Sequence, residues 1–107
     1  MRDTTSLVPS QLADATYLVL NDFGDLGKAY VETDPADGDR ETIIRSLLSS
    51  QYDHPVRVVA FNVDGGWSRD VSEDIARAVL ARAGGMGRDL APATMEFIER
   101  YCGANVA

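Results

Sequence analysis

The chain has 107 residues, of which 45 % are hydrophobic, a length that builds one hydrophobic core but not two. Its 17 acidic residues against 10 basic ones give a formal charge of −7, which repels a phosphate backbone and excludes nucleic acid as the expected partner. The single cysteine, Cys102, forms no intramolecular disulfide, and no apolar run approaches the ~20 residues that cross a bilayer. We therefore expect a cytoplasmic protein with no membrane partner.

The first half of the chain predicts a leader followed by a hairpin. Residues 1–14 contain no sustained hydrophobic period, which predicts a flexible leader before a single α+β domain at residues 15–105. Thr16–Leu20 is apolar on both alternations, as in a central strand that is covered on one face and partly on the other. The turn-rich segment Asn21–Gly27 then leads into Lys28–Thr33, whose alternation is typical of an edge strand.

The middle of the chain predicts a helix and a third strand. Apolar residues recur at spacings of one, three and four within Arg40–Tyr52, which predicts an amphipathic helix with Asp37 or Asp39 as its N-cap. Pro55 ends the helical region, because the residue before a proline is pushed out of the helical conformation. Val56–Val63 follows as a strand that is apolar on both alternations.

Two further helices are predicted after a double glycine. Asp70 and Glu73 match a capping box, and apolar residues repeat every four positions, so the second helix is expected over Val71–Ala83, ending at Gly84–Gly87. Pro92 opens a third helix, for which Gly103 is the expected C-terminal cap.

These elements predict a two-layer β-β-α-β-α-α fold of the α+β class, with a three-stranded, mainly antiparallel sheet packed against helices. A right-handed crossover through the first helix gives the strand order 2-1-3. The strand Val56–Val63 then lies at an edge, although it is too apolar for one. Either the third helix covers this edge or two subunits pair along it as a homodimer.

The loop Asp64–Asp70 is the candidate ligand site. Gly65 and Gly66 allow close backbone approach, Arg69 adds a positive charge and Trp67 offers a wall, which together suit an anion or a phosphate. The competing interpretation is a glycine turn before a capped helix, with Trp67 as a lid on the core. The loop matches neither common phosphate-binding glycine motif.

The remaining polar residues predict no catalytic or metal site. The only histidine, His54, has no nucleophile at a spacing typical of a catalytic pair, and Cys102 is interpreted as a small core residue. We interpret the aspartates near strand ends and turns as solvated, because their spacing fits neither a calcium loop nor a zinc set. These are Asp22, Asp25, Asp53 and Asp64. No cofactor and no catalytic residue is expected.

Several segments resemble a group of short bacterial proteins of uncharacterised function. They are Tyr17–Leu20 with Asp22–Gly24, then Pro55–Asn62, then Gly66–Ser72. The resemblance extends over roughly Thr16 to Tyr101 and implies no activity, cofactor or site residue.

The sequence thus favours a small cytoplasmic binding or regulatory module without catalytic activity, which binds a protein partner or itself. The alternative is a small-molecule binding domain or minor enzyme that holds an anion or a phosphate in the Asp64–Asp70 loop.

Overall fold

A four-stranded antiparallel sheet organises the computed structural model, which describes residues 15–31, 38–62, 64–86 and 89–103. The strands are β1 (Thr16–Asp22), β2 (Lys28–Tyr30), β3 (Pro55–Asn62) and β4 (Trp67–Asp70). Their order within the sheet is β2-β1-β3-β4, and every neighbouring pair is antiparallel. The α+β class and the order of the first three strands are confirmed. The fourth strand was not predicted.

Three helices lie in the described ranges: α1 (Arg40–Leu48), α2 (Ser72–Met86) and α3 (Pro92–Cys102). Asp39 is the N-cap of α1, as predicted, and its carboxylate accepts the Thr42 amide at 3.2 Å. The helix α3 starts at Pro92 and ends at Gly103, whose φ of 92° is the left-handed geometry of a glycine cap. Asp37 and the predicted leader lie outside the described residues.

Two helix boundaries differ from the prediction. The helix α1 ends at Leu48 and not at Tyr52, because Ser50 adopts a φ of 58° and turns the chain away. The helix α2 begins at Ser72, one residue late, and continues through the glycines to Met86. A helical glycine costs only about 1 kcal/mol, which an established helix tolerates near its end.

The hydrophobic core lies between the helices and one face of the sheet. Tyr17 and Val19 of β1 are almost fully buried, whereas the alternate residues of this strand keep part of their surface exposed. All three helices contribute to the same core, which places them on one side of the sheet. The largest of their buried side chains are Ile43, Ile44, Leu47, Ile75, Val79, Phe97 and Ile98.

The outer edge of β3 is occupied within the chain, so its predicted position at the edge of the sheet is wrong. The strand β4 pairs with its second half, from Val59 to Asn62. At Val58 the Ser72 hydroxyl accepts the amide N–H at 2.8 Å and donates to the carbonyl at 3.3 Å. The Tyr101 hydroxyl of α3 donates to the Val56 carbonyl at 2.5 Å, so the third helix does cover part of this edge. The bare edge that suggested pairing of two subunits along Val56–Val63 does not exist in the described part of that strand.

Candidate functional site

The double glycine forms the turn of a hairpin between β3 and β4, and not a handover from a strand to a helix. The Gly65 amide donates to the Asn62 side-chain oxygen at 2.6 Å, and the Gly66 amide donates to the Asn62 carbonyl at 2.9 Å. Gly66 has a φ of 68°, a conformation that other residues rarely adopt. Both glycine amides are therefore engaged inside the turn that they form.

Trp67 belongs to the core. It is 8 % exposed, lies opposite Asn62 in the register and faces the helices. Its indole ring covers Gly65, where an added Cβ would lie 3.0 Å from Cδ1 and 3.1 Å from Nε1. The interpretation of Trp67 as a lid on the core is confirmed by this burial.

Arg69 lies near the start of α2 and is separated from the glycine turn by the length of β4. It lines a shallow cleft of about 710 Å³ together with residues of the first turns of α2. The other lining residues are Asp70, Val71, Glu73, Asp74 and Arg77. The structure thus brings Arg69 to a helix N-terminus but keeps Gly65 and Gly66 at the opposite end of the strand.

The carboxylates of this cleft already have partners. Asp70 accepts the Ser72 amide at 2.9 Å, as expected of a residue that satisfies a free helix N–H. Asp74 pairs with Arg40 at 3.2 Å, and Glu73 pairs with Arg77 at 3.0 Å. Among the described residues, no carboxylate forms an ion pair with Arg69.

The Arg40–Asp74 pair joins the starts of α1 and α2 above the buried Tyr17. Burial raises the pKa of the Tyr17 hydroxyl, an effect that Arg40 opposes and Asp74 reinforces. The hydroxyl therefore stays protonated at physiological pH. The pair links the starts of the two helices across the surface.

The described helices leave the opposite face of the sheet uncovered. The register places Leu18 beside Val59, Thr16 beside Phe61, and Leu20 beside Tyr30, all pointing away from the helices. Tyr30 is 44 % exposed, and the others are partly exposed. We call this surface the open face. Its apolar residues are Leu18, Leu20, Tyr30, Val59 and Phe61.

The described charged residues of the open face are of both signs. Asp22 lies opposite Lys28 in the register, and Arg57 pairs with Asp70 at 3.2 Å. The Tyr101 hydroxyl, which accepts a hydrogen bond from the Arg57 guanidinium, is the main cause that raises the pKa of that guanidinium, followed by the charge of Asp70. Among the described residues, two cations and two carboxylates of this face balance one another, although the whole chain carries −7.

The signal for the open face was present in the sequence. Thr16–Leu20 is apolar on both alternations, which predicts partial cover of the second face. Charge and glycine content instead indicated the loop residues Gly65, Gly66, Trp67 and Arg69. Of these four, only Arg69 has an exposed side chain that is free to meet a ligand.

The remaining observations, on metal sites, membrane spans and known proteins, assign no function to the chain. The described residues contain no group of three or more histidine, cysteine, aspartate or glutamate side chains that could hold a metal. His54 lies 3.6 Å from Glu96. None of the described helices has the length and apolar character needed to cross a membrane. Comparisons of the chain with protein-family models, curated proteins and solved structures gave no match.

Proposed function

We propose that this chain is a small cytoplasmic binding module, without catalytic chemistry of its own, that holds a protein partner on the open face. The observation that supports the proposal is the apolar character of that face. When an antiparallel sheet has one face in water, that face normally carries polar residues at alternate positions. Here the outward positions of β1 and β3 carry Leu18, Leu20, Val59 and Phe61.

The physical drive for such binding is the removal of apolar surface from water. Each square ångström of apolar surface that becomes buried contributes about 25 cal/mol, before the costs of association are subtracted. Contiguous apolar patches of this kind mark protein interaction sites.

The test compares capture of a partner by matched variants. The chain is immobilised, and the proteins that it retains from a cell extract are quantified for the wild type, Leu18→Asp and Gln51→Asp. Both substitutions add one negative charge, but Gln51 is exposed in the loop after α1, away from the open face. We expect Leu18→Asp to lose partners that Gln51→Asp retains. Identical retained proteins for all three chains contradict the proposal.

A second candidate function is anion binding at Arg69. Two features favour it: among the described residues no carboxylate forms an ion pair with Arg69, and Arg69 lies near the backbone amides at the start of α2. The surrounding carboxylates Asp70, Glu73 and Asp74 oppose it. Inorganic phosphate would raise the melting temperature of the wild type but not of Arg69→Ala, with Arg77→Ala as the control from the same cleft. An equal response of the wild type and Arg69→Ala rejects this candidate.

A further inference from the structure

We infer that the partner on the open face is a second copy of this chain, in a symmetric dimer whose two sheets pack face to face. The inference rests on the proposed function, because it names the occupant of the same surface. Two antiparallel sheets stacked about 10 Å apart form a β-sandwich, in which the inner faces supply one shared core. In a dimer with a twofold axis both chains contribute the same patch, so one self-complementary patch is enough to form the whole interface.

Charge complementarity supports a second copy. Two chains of net charge −7 repel one another wherever their acidic surfaces meet. The open face lowers this penalty because its described charges balance: Asp22 lies opposite Lys28 in the register, and Arg57 forms an ion pair with Asp70. A strongly basic partner would gain nothing from a neutral face and would bind the acidic remainder of the surface instead. A neutral, apolar face is matched by another neutral, apolar face, and a second copy of the chain supplies one.

The edges of the sheet are less suitable for self-association than this face. The strand β3 has its outer edge occupied by β4, Ser72 and Tyr101. The outer strand β4 is four residues long, and its charged residues Arg69 and Asp70 hinder pairing with another strand. The other outer strand, β2, is three residues long and begins with Lys28. The exposed apolar residues of the described sheet lie on its face, so that face is the surface that a second chain would bury.

The size of the face sets the strength of the dimer. Strands of seven, three, eight and four residues, about 4.8 Å apart with a rise of about 3.3 Å per residue, give a face with a projected area of roughly 350 Å². Pleating and side chains increase this area, but it stays below the ~800 Å² that each partner buries in a standard interface. We therefore expect a reversible dimer that dissociates between about 1 µM and about 1 mM.

The experiment is sedimentation equilibrium across that concentration range. The mass of the wild type should rise from 11.6 kDa towards twice that value as its concentration increases. Leu18→Asp should remain monomeric, and Gln51→Asp should follow the wild type. Val59→Thr keeps the shape and strand preference of the side chain, so it should fold and weaken the dimer by about tenfold or more. Circular dichroism checks the folding of each variant.

Methyl NMR locates the interface independently of the variants. A soluble paramagnetic agent should broaden the methyl signals of Leu18 and Val59 in dilute samples and lose that effect in concentrated ones. The methyl groups of Leu26, which is 90 % exposed, should stay broadened at both concentrations and serve as the internal control.

Two outcomes overturn the inference and separate it from the proposed function. A mass of 11.6 kDa throughout, with capture of a different protein that Leu18→Asp loses, rejects the second copy and keeps the binding module. A dimer that Leu18→Asp and Val59→Thr leave intact, with unchanged capture, rejects both.

Discussion

The Ser72 hydroxyl hydrogen-bonds to both backbone groups of Val58, as the backbone of a neighbouring strand would. It accepts the Val58 amide N–H at 2.8 Å and donates to the Val58 carbonyl at 3.3 Å, just where β4 ends and α2 begins. The Val71 amide donates to the same carbonyl at 2.9 Å. Ser72 is 1 % exposed, so its hydroxyl has no water to replace these contacts. One side chain thus continues the sheet and fixes the start of the helix.

Ser72→Ala should lower the free energy of unfolding by about 1–3 kcal/mol, because it leaves the buried Val58 N–H without an acceptor. Ser68→Ala is the control, since Ser68 is an exposed serine of the adjacent strand and should change stability by less than about 0.5 kcal/mol. Urea denaturation of the two variants measures the difference. Equal losses would show that the Ser72 hydroxyl contributes nothing specific.

Asp39 makes the stability of α1 depend on pH. Its hydrogen bonds from Thr42 are the main cause that holds its pKa below the ordinary value of 3.8. A carboxyl with a depressed folded-state pKa stabilises the fold above its unfolded pKa and loses that contribution as pH falls through the folded pKa. Asp39→Ala should therefore cost about 1 kcal/mol near neutral pH and progressively less in acid below pH 3.8.

Asp39→Asn is the control for this prediction, because asparagine caps a helix about as well as aspartate and does not titrate. Urea midpoints across the acid range compare the three chains. A cost of Asp39→Ala that stays constant down to the lowest pH would contradict the role of the carboxylate.

The local patterns of the sequence were sufficient for the helices and the central strands. The Asp39 cap, the Pro92 start and the Gly103 end each depend on contacts within a few residues, so they were predictable. The strand β4 was missed because its outward residues are polar and its only large apolar residue is Trp67. Its pairing with β3 is a tertiary contact that no periodicity over four residues can reveal.

The candidate surface was harder to predict than the fold. The apolar residues of the open face come from three strands, and only the register brings Tyr30, Leu20 and Arg57 into one row. The glycine loop was considered as a candidate site beside the interpretation as a turn, because Asp70 and Glu73 form a helix-start pattern close after it. In the structure, β4 separates the two features, so their closeness in sequence does not make one site.

Tyr101→Phe should lower the free energy of unfolding by about 1 kcal/mol, because it removes the donor to the Val56 carbonyl. The edge-on contact of its ring with Phe97, at a centroid distance of 5.2 Å, is retained by phenylalanine. Tyr30→Phe removes a hydroxyl from a tyrosine that is 44 % exposed and should change stability little. Thermal unfolding of both variants is the measurement. An equal shift in melting temperature would argue against the hydrogen bond from the Tyr101 hydroxyl to the Val56 carbonyl.

Gly65→Ala and Gly66→Ala should both destabilise the hairpin, but for different reasons that Trp67 fluorescence separates. A Cβ at Gly65 would meet the indole ring at 3.0 Å, so the ring must move and its emission should shift. A Cβ at Gly66 has open space, and its cost of about 1–2 kcal/mol comes from the positive φ of 68°. Gly66→Asn should recover part of that loss, since asparagine tolerates this conformation.

The emission of Gly66→Ala in the folded state should shift less than that of Gly65→Ala, because a Cβ at Gly66 meets nothing within 4 Å apart from its own chain neighbours. Trp67 is the only tryptophan in the chain, so the signal has a single source. An unchanged emission in Gly65→Ala would refute the packing of Trp67 on Gly65. The same pair of variants bears on the glycine turn as a ligand site. If the amides of Gly65 and Gly66 serve only the turn, Gly66→Asn should recover the stability of the hairpin together with its Trp67 emission.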